Sequence, residues 1–332
     1  MHEQSQDQDH ILFLNQSIPN IHRTFTAAQI GTHPVRTFAD IQETCLPEVE
    51  YIFSTWGFAS MTEDEWGKHF PNLKAVLYAA GTVQAFAEPL LNRGVRVFSA
   101  WAANAIPVAE FAAAQIVLAN KGYFQLHKRY QQSHKAALTY GESFAEGNYG
   151  GKVGLLGAGM IGRHVIRLLA PYAVQIYAFD PFLSEAQAAA LGVIKADLET
   201  IFRECRTISN HLANKAETRG MLDYSLFSQM LPNATFINTG RGAQVAAADL
   251  CRAMSDSPDR TALLDVTDPE EPAAPDSEYW KHPNILLTPH RAGSMVNEVR
   301  RMGQYMFEEY EKLLAGEAVR YEVTKEMLAT MA

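Results

Sequence analysis

The sequence has few cysteines and no long run of charge of one sign. Its three cysteines, Cys45, Cys205 and Cys251, form no CxxC pair, so we expect free thiols in a reducing compartment rather than a disulfide framework. No run of five or six like charges occurs, and the formal net charge of -9 argues against a nucleic-acid surface. The eleven histidines show no spacing typical of metal ligands, so we predict no metal site.

Signals for export or membrane insertion are also absent from the sequence. The first ten residues, MHEQSQDQDH, are polar and lack the apolar core of a signal peptide. The apolar stretch from Ile106 to Leu118 is interrupted by Glu110 and Gln115, which is short of a membrane-spanning run. We therefore expect a cytoplasmic protein without membrane contact, and 332 residues favour two domains.

Short apolar runs alternate with helical stretches along the whole chain. This alternation predicts parallel sheets with helices on both faces, and so two doubly wound units. We expect a helix near Pro34–Ala39, and the segment Ala318–Val323 is predicted to return to the first sheet. The main strand candidates are His10–Leu14, Glu50–Ser54, Lys74–Tyr78, Val95–Phe98, Thr207–Ser209, Thr235–Asn238, Ala262–Asp265 and Ile285–Leu287.

A glycine motif stands at the centre of this pattern. In KVGLLGAGMIG an apolar run ends in Gly157, Gly159 and Gly162, and an amphipathic helical stretch follows. Gly157 allows a tight turn, Gly159 lets a pyrophosphate approach the backbone, and Gly162 lets the helix pack close to the sheet. A glycine triplet also occurs in ordinary turns between strand and helix, but the flanking strand and helix favour a dinucleotide site at the helix N-terminus.

The next β-like run ends on Asp180, which indicates the kind of dinucleotide. A carboxylate at this point can accept hydrogen bonds from the ribose hydroxyls of the adenosine. It would repel a 2′-phosphate, and the following Pro181 and Phe182 supply no arginine to neutralise one. The sequence therefore predicts NAD rather than NADP.

Three later segments place reactive side chains directly after strand candidates. FINTGRGA presents Arg241, LDVTDPEEP presents Glu270 and Glu271, and ILLTPHRAGS presents His290. Each also has a plain structural reading: a salt bridge for Arg241, a solvated acidic loop, and a satisfied loop histidine. Their common position after strands favours the catalytic reading, because the carboxyl ends of parallel strands meet at one edge of a sheet.

With VAEF at Val108–Phe111 and HLANKAETRGMLD at His211–Asp223, these motifs resemble the D-isomer-specific 2-hydroxyacid dehydrogenases. The resemblance covers nearly the whole chain and is densest from Val108 to Ser294. It implies an α/β fold in which a Rossmann NAD-binding domain, residues 102–294, is inserted into a flavodoxin-like substrate domain, residues 1–101 and 295–332. It also implies a homodimer, with the apolar helix Ile106–Leu118 as the dimer face.

The resemblance further implies hydride transfer between NAD(H) and C2 of a D-2-hydroxy acid or 2-keto acid. Arg241 would bind the substrate, and His290 would be the general acid/base. Glu270 would pair with that histidine and favour the imidazolium that donates a proton. Only motif spacing selects Glu270 over Glu271.

The remaining site residues also follow from the resemblance. The backbone of the loop Ala80–Val83, with Ala80, Gly81 and Thr82 at its centre, would hold the substrate carboxylate. Further cofactor contacts would come from Met160, Ile161, Thr239, Gly240, Asp265 and Gly293.

Departures from the family pattern leave the substrate open. The family usually carries an acid shortly after the glycine of the first-domain loop, and this chain has Thr82 and Val83 there. Trp56 and Phe58 follow a strand candidate, where they either wall the substrate pocket or pack in the core. The sequence also allows another class of protein, an NAD(H)-sensing corepressor-like binding protein on the same scaffold. Formate oxidation is disfavoured, because formate dehydrogenases use a glutamine where Glu270 stands.

Overall fold

The computed structural model describes residues 10–134, 145–269 and 271–328. The chain forms two compact units. One comprises Met1–Asn104 and Ser294–Ala332, and the other comprises Ala105–Gly293. The second unit is thus an insertion in the chain of the first.

The first unit contains a six-stranded sheet in the order β2-β1-β3-β4-β5-β13. Its first five strands are parallel, in the flavodoxin-like order, and β13 pairs antiparallel with β5. The predicted return of the chain to this sheet after residue 318 is therefore confirmed. The strands are β1 (Ile11–Asn15), β2 (Val35–Thr37), β3 (Tyr51–Ser54), β4 (Ala75–Tyr78), β5 (Arg96–Ser99) and β13 (Glu322–Val323).

The helix predicted near Pro34–Ala39 is wrong. Val35–Thr37 forms the edge strand β2, in which Val35 pairs with Phe13, and a short 3-10 turn follows at Ala39–Ile41. The hydrogen bonds to β1 override the local helical pattern. The helices of this unit are α1 (Ile18–Thr24), α2 (Ala27–Ile30), α3 (Glu63–His69), α4 (Ala87–Asn92), α12 (Asn297–Ala315) and α13 (Lys325–Leu328), of which α1, α2 and α13 were not predicted.

The second unit contains a seven-stranded parallel sheet in the order β8-β7-β6-β9-β10-β11-β12. The strand order reverses between β6 and β9, as in a Rossmann fold, and the loops after these strands begin at the same edge. The prediction of two doubly wound sheets is confirmed. The strands are β6 (Tyr149–Leu156), β7 (Ala173–Phe179), β8 (Ile194–Lys195), β9 (Thr207–Asn210), β10 (Thr235–Asn238), β11 (Thr261–Leu264) and β12 (Ile285–Leu287).

One helix, α5 (Trp101–Asn120), is long and apolar enough by length and composition to cross a membrane. Half of the apolar stretch of this helix is buried inside the protein. Ala109, Ala112 and Ile116 pack in the core beside β6. Core helices of soluble proteins meet the same test of length and composition. The other helices of the second unit are α6 (Tyr123–Ser133), α7 (Met160–Leu169), α8 (Glu185–Leu191), α9 (Leu198–Glu204), α10 (Tyr224–Phe227) and α11 (Ala247–Asp256).

Candidate active site

The glycine loop between β6 and α7 has one crowded position and one open position. Gly157 has a φ of +99°, and an added Cβ would lie 2.6 Å from the His211 carbonyl oxygen. Gly159 is the N-cap of α7 with an ordinary φ of -70°, and no atom lies within 4 Å of an added Cβ. The open backbone at a helix N-terminus fits a pyrophosphate group. Gly162 is buried in the first turn of α7, beside the partly exposed Met160 and Ile161.

Asp180, which follows β7, holds this loop in place. The Ala158 amide donates to Asp180 Oδ2 at 2.8 Å, and the Phe182 amide donates to Oδ1 at 2.8 Å. The carboxylate therefore lies beside the glycine loop, where a ribose would be bound in a dinucleotide site. Its contact with a ribose stays a prediction.

The two glycines allow a matched test of the cofactor site. Gly159→Ala should weaken NADH binding by about tenfold, equivalent to about 1.4 kcal/mol, because the new methyl group occupies the space open to a phosphate. It should leave the thermal unfolding temperature unchanged, since alanine adopts a φ of -70° without strain. Gly157→Ala is the contrasting variant and should lower that temperature. Fluorescence titration with NADH and thermal unfolding measure both effects, and unchanged affinity in Gly159→Ala would contradict the assignment.

His211 lies at the point where the strand order reverses. Its amide donates to the Leu156 carbonyl at 2.7 Å, so it joins the ends of β6 and β9. Its ring lies 3.0 Å from Ser209 Oγ and 3.4 Å from Thr239 Oγ1, and burial lowers its pKa to about 4. The ring is therefore neutral near pH 7, and it adds no positive charge at this edge.

Arg241 follows β10 in extended backbone and opens the 3-10 turn Gly242–Gln244. Its Nη1 donates to the Gly240 carbonyl at 2.8 Å. In the part of the chain that the structure describes, no carboxylate forms an ion pair with Arg241. Most donors of the planar guanidinium thus remain available for an anionic ligand. Among the described residues, the salt-bridge reading of Arg241 therefore has no partner.

The loop that carries Arg241 packs against the loop after β11. A Cβ on Gly242 would lie 2.6 Å from the amide nitrogen of Asp268, so only glycine fits this approach. The second loop continues to the acidic pair of residues 270 and 271. The structure therefore brings the arginine loop into contact with the loop that leads to these acids.

Asp265, at the end of β11, organises the histidine loop. It is 3% exposed, and its carboxylate accepts bonds from Thr288 Oγ1 at 2.6 Å and from the Arg291 and Ala292 amides at 2.8 Å each. These bonds hold His290 at a φ of +53°, a left-handed conformation that costs a non-glycine residue about 1 kcal/mol or more. The predicted cofactor contacts of Asp265 and Gly293 stay predictions.

His290 has a carboxylate partner. Its Nδ1 contacts Glu271 Oε1, and the two side chains are 47% and 31% exposed. Among the described residues Nε2 has no hydrogen-bond partner, so it is available to a ligand. Glu270, the partner that motif spacing predicts, lies outside the described residues and stays a prediction. The observed contact supports the alternative, Glu271.

In the first unit, the loop after β4 presents unpaired backbone N–H groups. The Ala80 carbonyl accepts from Ser99 Oγ at 2.9 Å, and the Gly81 carbonyl contacts the same hydroxyl. Within the described residues, the amides of Gly81, Thr82 and Val83 have no hydrogen-bond partner. Adjacent N–H groups of this kind suit a carboxylate, and the substrate-binding role of this loop stays a prediction.

The two aromatic candidates in the loop after β3 differ. Phe58 packs in the core, with its ring 4.8 Å from that of Phe86 and 5.6 Å from that of Trp66. Trp56 is 41% exposed, and its carbonyl accepts from the Asn15 side chain at 3.1 Å. Since β3 and β4 are neighbours, Trp56 stays the candidate for a pocket wall.

Comparison with known proteins identifies the family. Residues 114–292 match the family model "D-isomer specific 2-hydroxyacid dehydrogenase, NAD binding domain". The D-3-phosphoglycerate dehydrogenase of Mycobacterium tuberculosis is 30% identical over 252 residues, which are 75% of this chain and 46% of that protein. The chain thus spans about half the length of the curated relatives it matches.

Solved structures show the same fold. D-2-hydroxyisocaproate dehydrogenase superposes with a TM-score of 0.75 at 16% identity, covering 95% of this chain and 99% of that one. The NAD-complexed D-isomer specific 2-hydroxyacid dehydrogenase of Lactobacillus delbrueckii ssp. bulgaricus gives 0.73 at 20% identity, with coverage of 95% and 99%. Because more than half of the chain matches the family's NAD-binding domain, the protein belongs to the D-isomer specific 2-hydroxyacid dehydrogenase family.

Proposed function

We propose that the protein transfers a hydride between NAD(H) and C2 of a D-2-hydroxy acid or 2-keto acid. The observation that carries the proposal is the contact between His290 and Glu271, in the same unit as the glycine loop. NADH, when bound, supplies the hydride. The chain itself has to bind and orient the acid and move one proton at its oxygen.

His290 is the proton donor in this proposal. Glu271 accepts from Nδ1, which fixes the orientation of the ring, and Nε2 is left to face the keto oxygen. In the direction of reduction Nε2 gives its proton to the developing alkoxide. In oxidation the neutral ring takes the hydroxyl proton back.

Arg241 binds the acid in this proposal. The guanidinium of Arg241 has no ion-pair partner among the described residues, and its planar fork suits a carboxylate or the reacting oxygen. For the first unit by itself, it stays a prediction that the Gly81 and Thr82 amides bind a carboxylate; among the described residues these amides have no partner. Positioning and charge complementarity then contribute most of the rate.

The two adjacent acids give a decisive pair of variants. Glu271→Gln should lower kcat/KM for keto-acid reduction by roughly 10- to 100-fold, part of the contribution of a general acid, because the imidazolium loses its charged partner. Glu270→Gln is the control and should stay near wild type. Steady-state rates of the two variants test this, and the reverse ranking would favour Glu270.

A substrate panel tests the proposal itself. The purified protein is given NADH, or NADPH in parallel, with glyoxylate, hydroxypyruvate, pyruvate, phenylpyruvate and branched 2-keto acids. Turnover with any of them supports the reaction class, and the preferred side-chain size shows how much room the substrate site leaves. NADH binding without turnover of any acid would favour the NAD(H)-sensing alternative. A clear preference for NADPH would contradict the reading of Asp180.

A further inference from the structure

Three amide side chains are buried together at the carboxyl edge of the second sheet. Asn210 ends β9, Asn238 ends β10 beside it, and Gln244 ends the 3-10 turn after Arg241. All three are fully buried, with 0% exposure. Buried amides destabilise a fold unless their donors and acceptors are paired, so each bond that they make is informative.

The amides hold the backbone of Arg241 from both sides. Asn238 Nδ2 donates to the Arg241 carbonyl at 3.1 Å, and the Arg241 amide donates to Gln244 Oε1 at 3.3 Å. Asn238 Oδ1 also accepts from the Gly240 amide at 3.0 Å. Asn210 joins the two holding groups, since its Nδ2 donates to Asn238 Oδ1 at 3.0 Å and to Gln244 Oε1 at 2.5 Å.

The same amides also hold the loop that follows β9. Gln244 Nε2 donates to the Leu212 carbonyl at 2.7 Å and to the Ala213 carbonyl at 3.0 Å. Asn210 Oδ1 accepts from the Leu212 amide at 3.2 Å. Gln244 is therefore a side chain that bonds both to the loop carrying Arg241 and to the loop after β9, where the strand order reverses.

We propose that Asn210, Asn238 and Gln244 are a positioning network that fixes the direction of Arg241 towards the substrate. They act through Arg241 and do not touch the substrate. The inference rests on the proposed function, because it assigns these amides to the same reaction. A buried, fully paired network is rigid, and a misplacement of about 1 Å at a binding group costs on the order of 100-fold in rate.

Gln244→Leu tests the network, because it removes the side-chain bonds of Gln244 to Arg241, to Leu212 and to Ala213. We expect kcat/KM for the keto acid to fall by about 100-fold, mostly through a higher KM, while the Kd for NADH rises severalfold. The matched control is Asn284→Leu. Asn284 is 3% exposed, lies just before β12, and donates to the Met254 and Arg260 carbonyls at 2.9 and 3.0 Å. The Asn284→Leu variant should lose about as much thermal stability as Gln244→Leu and keep the kcat/KM of the wild type.

A second pair covers the case in which the leucine variants do not fold. Gln244→Glu keeps the size and the acceptor, loses the donor to Leu212 and Ala213, and brings a negative charge to the Arg241 amide. It should again raise the keto-acid KM well above that of Asn284→Asp, which makes the same chemical change elsewhere. Equal losses of kcat/KM in the Gln244 and Asn284 variants would show a purely structural role and overturn the proposal.

Failure of the proposed function is distinguishable from failure of this inference. If the wild-type protein reduces no keto acid, the proposed function fails, and NADH titration alone judges the network. In that case Gln244→Leu should still bind NADH severalfold more weakly than Asn284→Leu, because the loop at Leu212 is released. Equal NADH affinity in the two variants would overturn the network as well.

Discussion

Replacing His290 with asparagine should lower keto-acid reduction by about 10²- to 10⁴-fold, the usual contribution of a general acid. Asparagine occupies a similar volume, but it has no ionisable proton to give to the keto oxygen. The pairing of Nδ1 with Glu271 leaves Nε2 as the donor, so no other atom of this residue can replace it. NADH binding should be nearly intact, because the glycine loop and Asp180 lie after β6 and β7 and not in the loop that carries His290.

The control for this variant is His282→Asn, the same substitution in the segment before β12. His282 interacts with Ser255 and with Glu278, neither of which belongs to the candidate site. The activity of the His282→Asn variant should match that of the wild type. Steady-state kinetics with a 2-keto acid, together with NADH titration and thermal unfolding, separate loss of chemistry from loss of fold. If His290→Asn keeps most of its rate, the assignment of the acid is wrong.

Replacing Arg241 with glutamine should lower kcat/KM by roughly 10²- to 10³-fold, as for the loss of an oriented donor to a developing charge. The reason is that a neutral amide cannot reproduce the two parallel charged hydrogen bonds of a guanidinium. Arg241→Lys should recover part of the loss, because it restores the charge without the fork. Since no described carboxylate neutralises Arg241, the fold should tolerate either change.

A pair of substrates identifies what Arg241 binds. The wild type should prefer pyruvate strongly over pyruvamide, and Arg241→Gln should lose most of that preference. Arg252→Gln is the control, because that side chain is exposed and stacks on Tyr224 at 4.0 Å in the same unit. If Arg241→Gln keeps the wild-type preference for pyruvate over pyruvamide, the substrate carboxylate is bound by a group other than Arg241.

The fold was predictable where a segment's own sequence sets its structure. The buried strands β1, β3, β4 and β10 are continuous apolar runs, and each of them was found within a residue or so. The short edge strands β2 and β8 were missed, because they exist only through pairing with β1 and β7. Their residues are partly or fully exposed, so no alternation marks them.

The candidate site was predictable in its parts but not in its contacts. The glycine loop, Arg241 and His290 follow strands, and parallel strands carry their loops to one edge. The contact of His290 with Glu271 depends on a left-handed backbone at His290 and on the bonds to Asp265, and neither is encoded locally. The buried amides were overlooked because asparagine at a strand end usually indicates an ordinary turn.

The most direct test of the proposed reaction is to follow the hydrogen itself. The protein is incubated with NADH that carries deuterium on the transferable position and with the preferred 2-keto acid, and the product is examined by NMR and chiral chromatography. We predict deuterium at C2 of the 2-hydroxy acid, in the D enantiomer alone. NADH that binds but leaves every keto acid unlabelled, or a product of the L configuration, would contradict the proposed function.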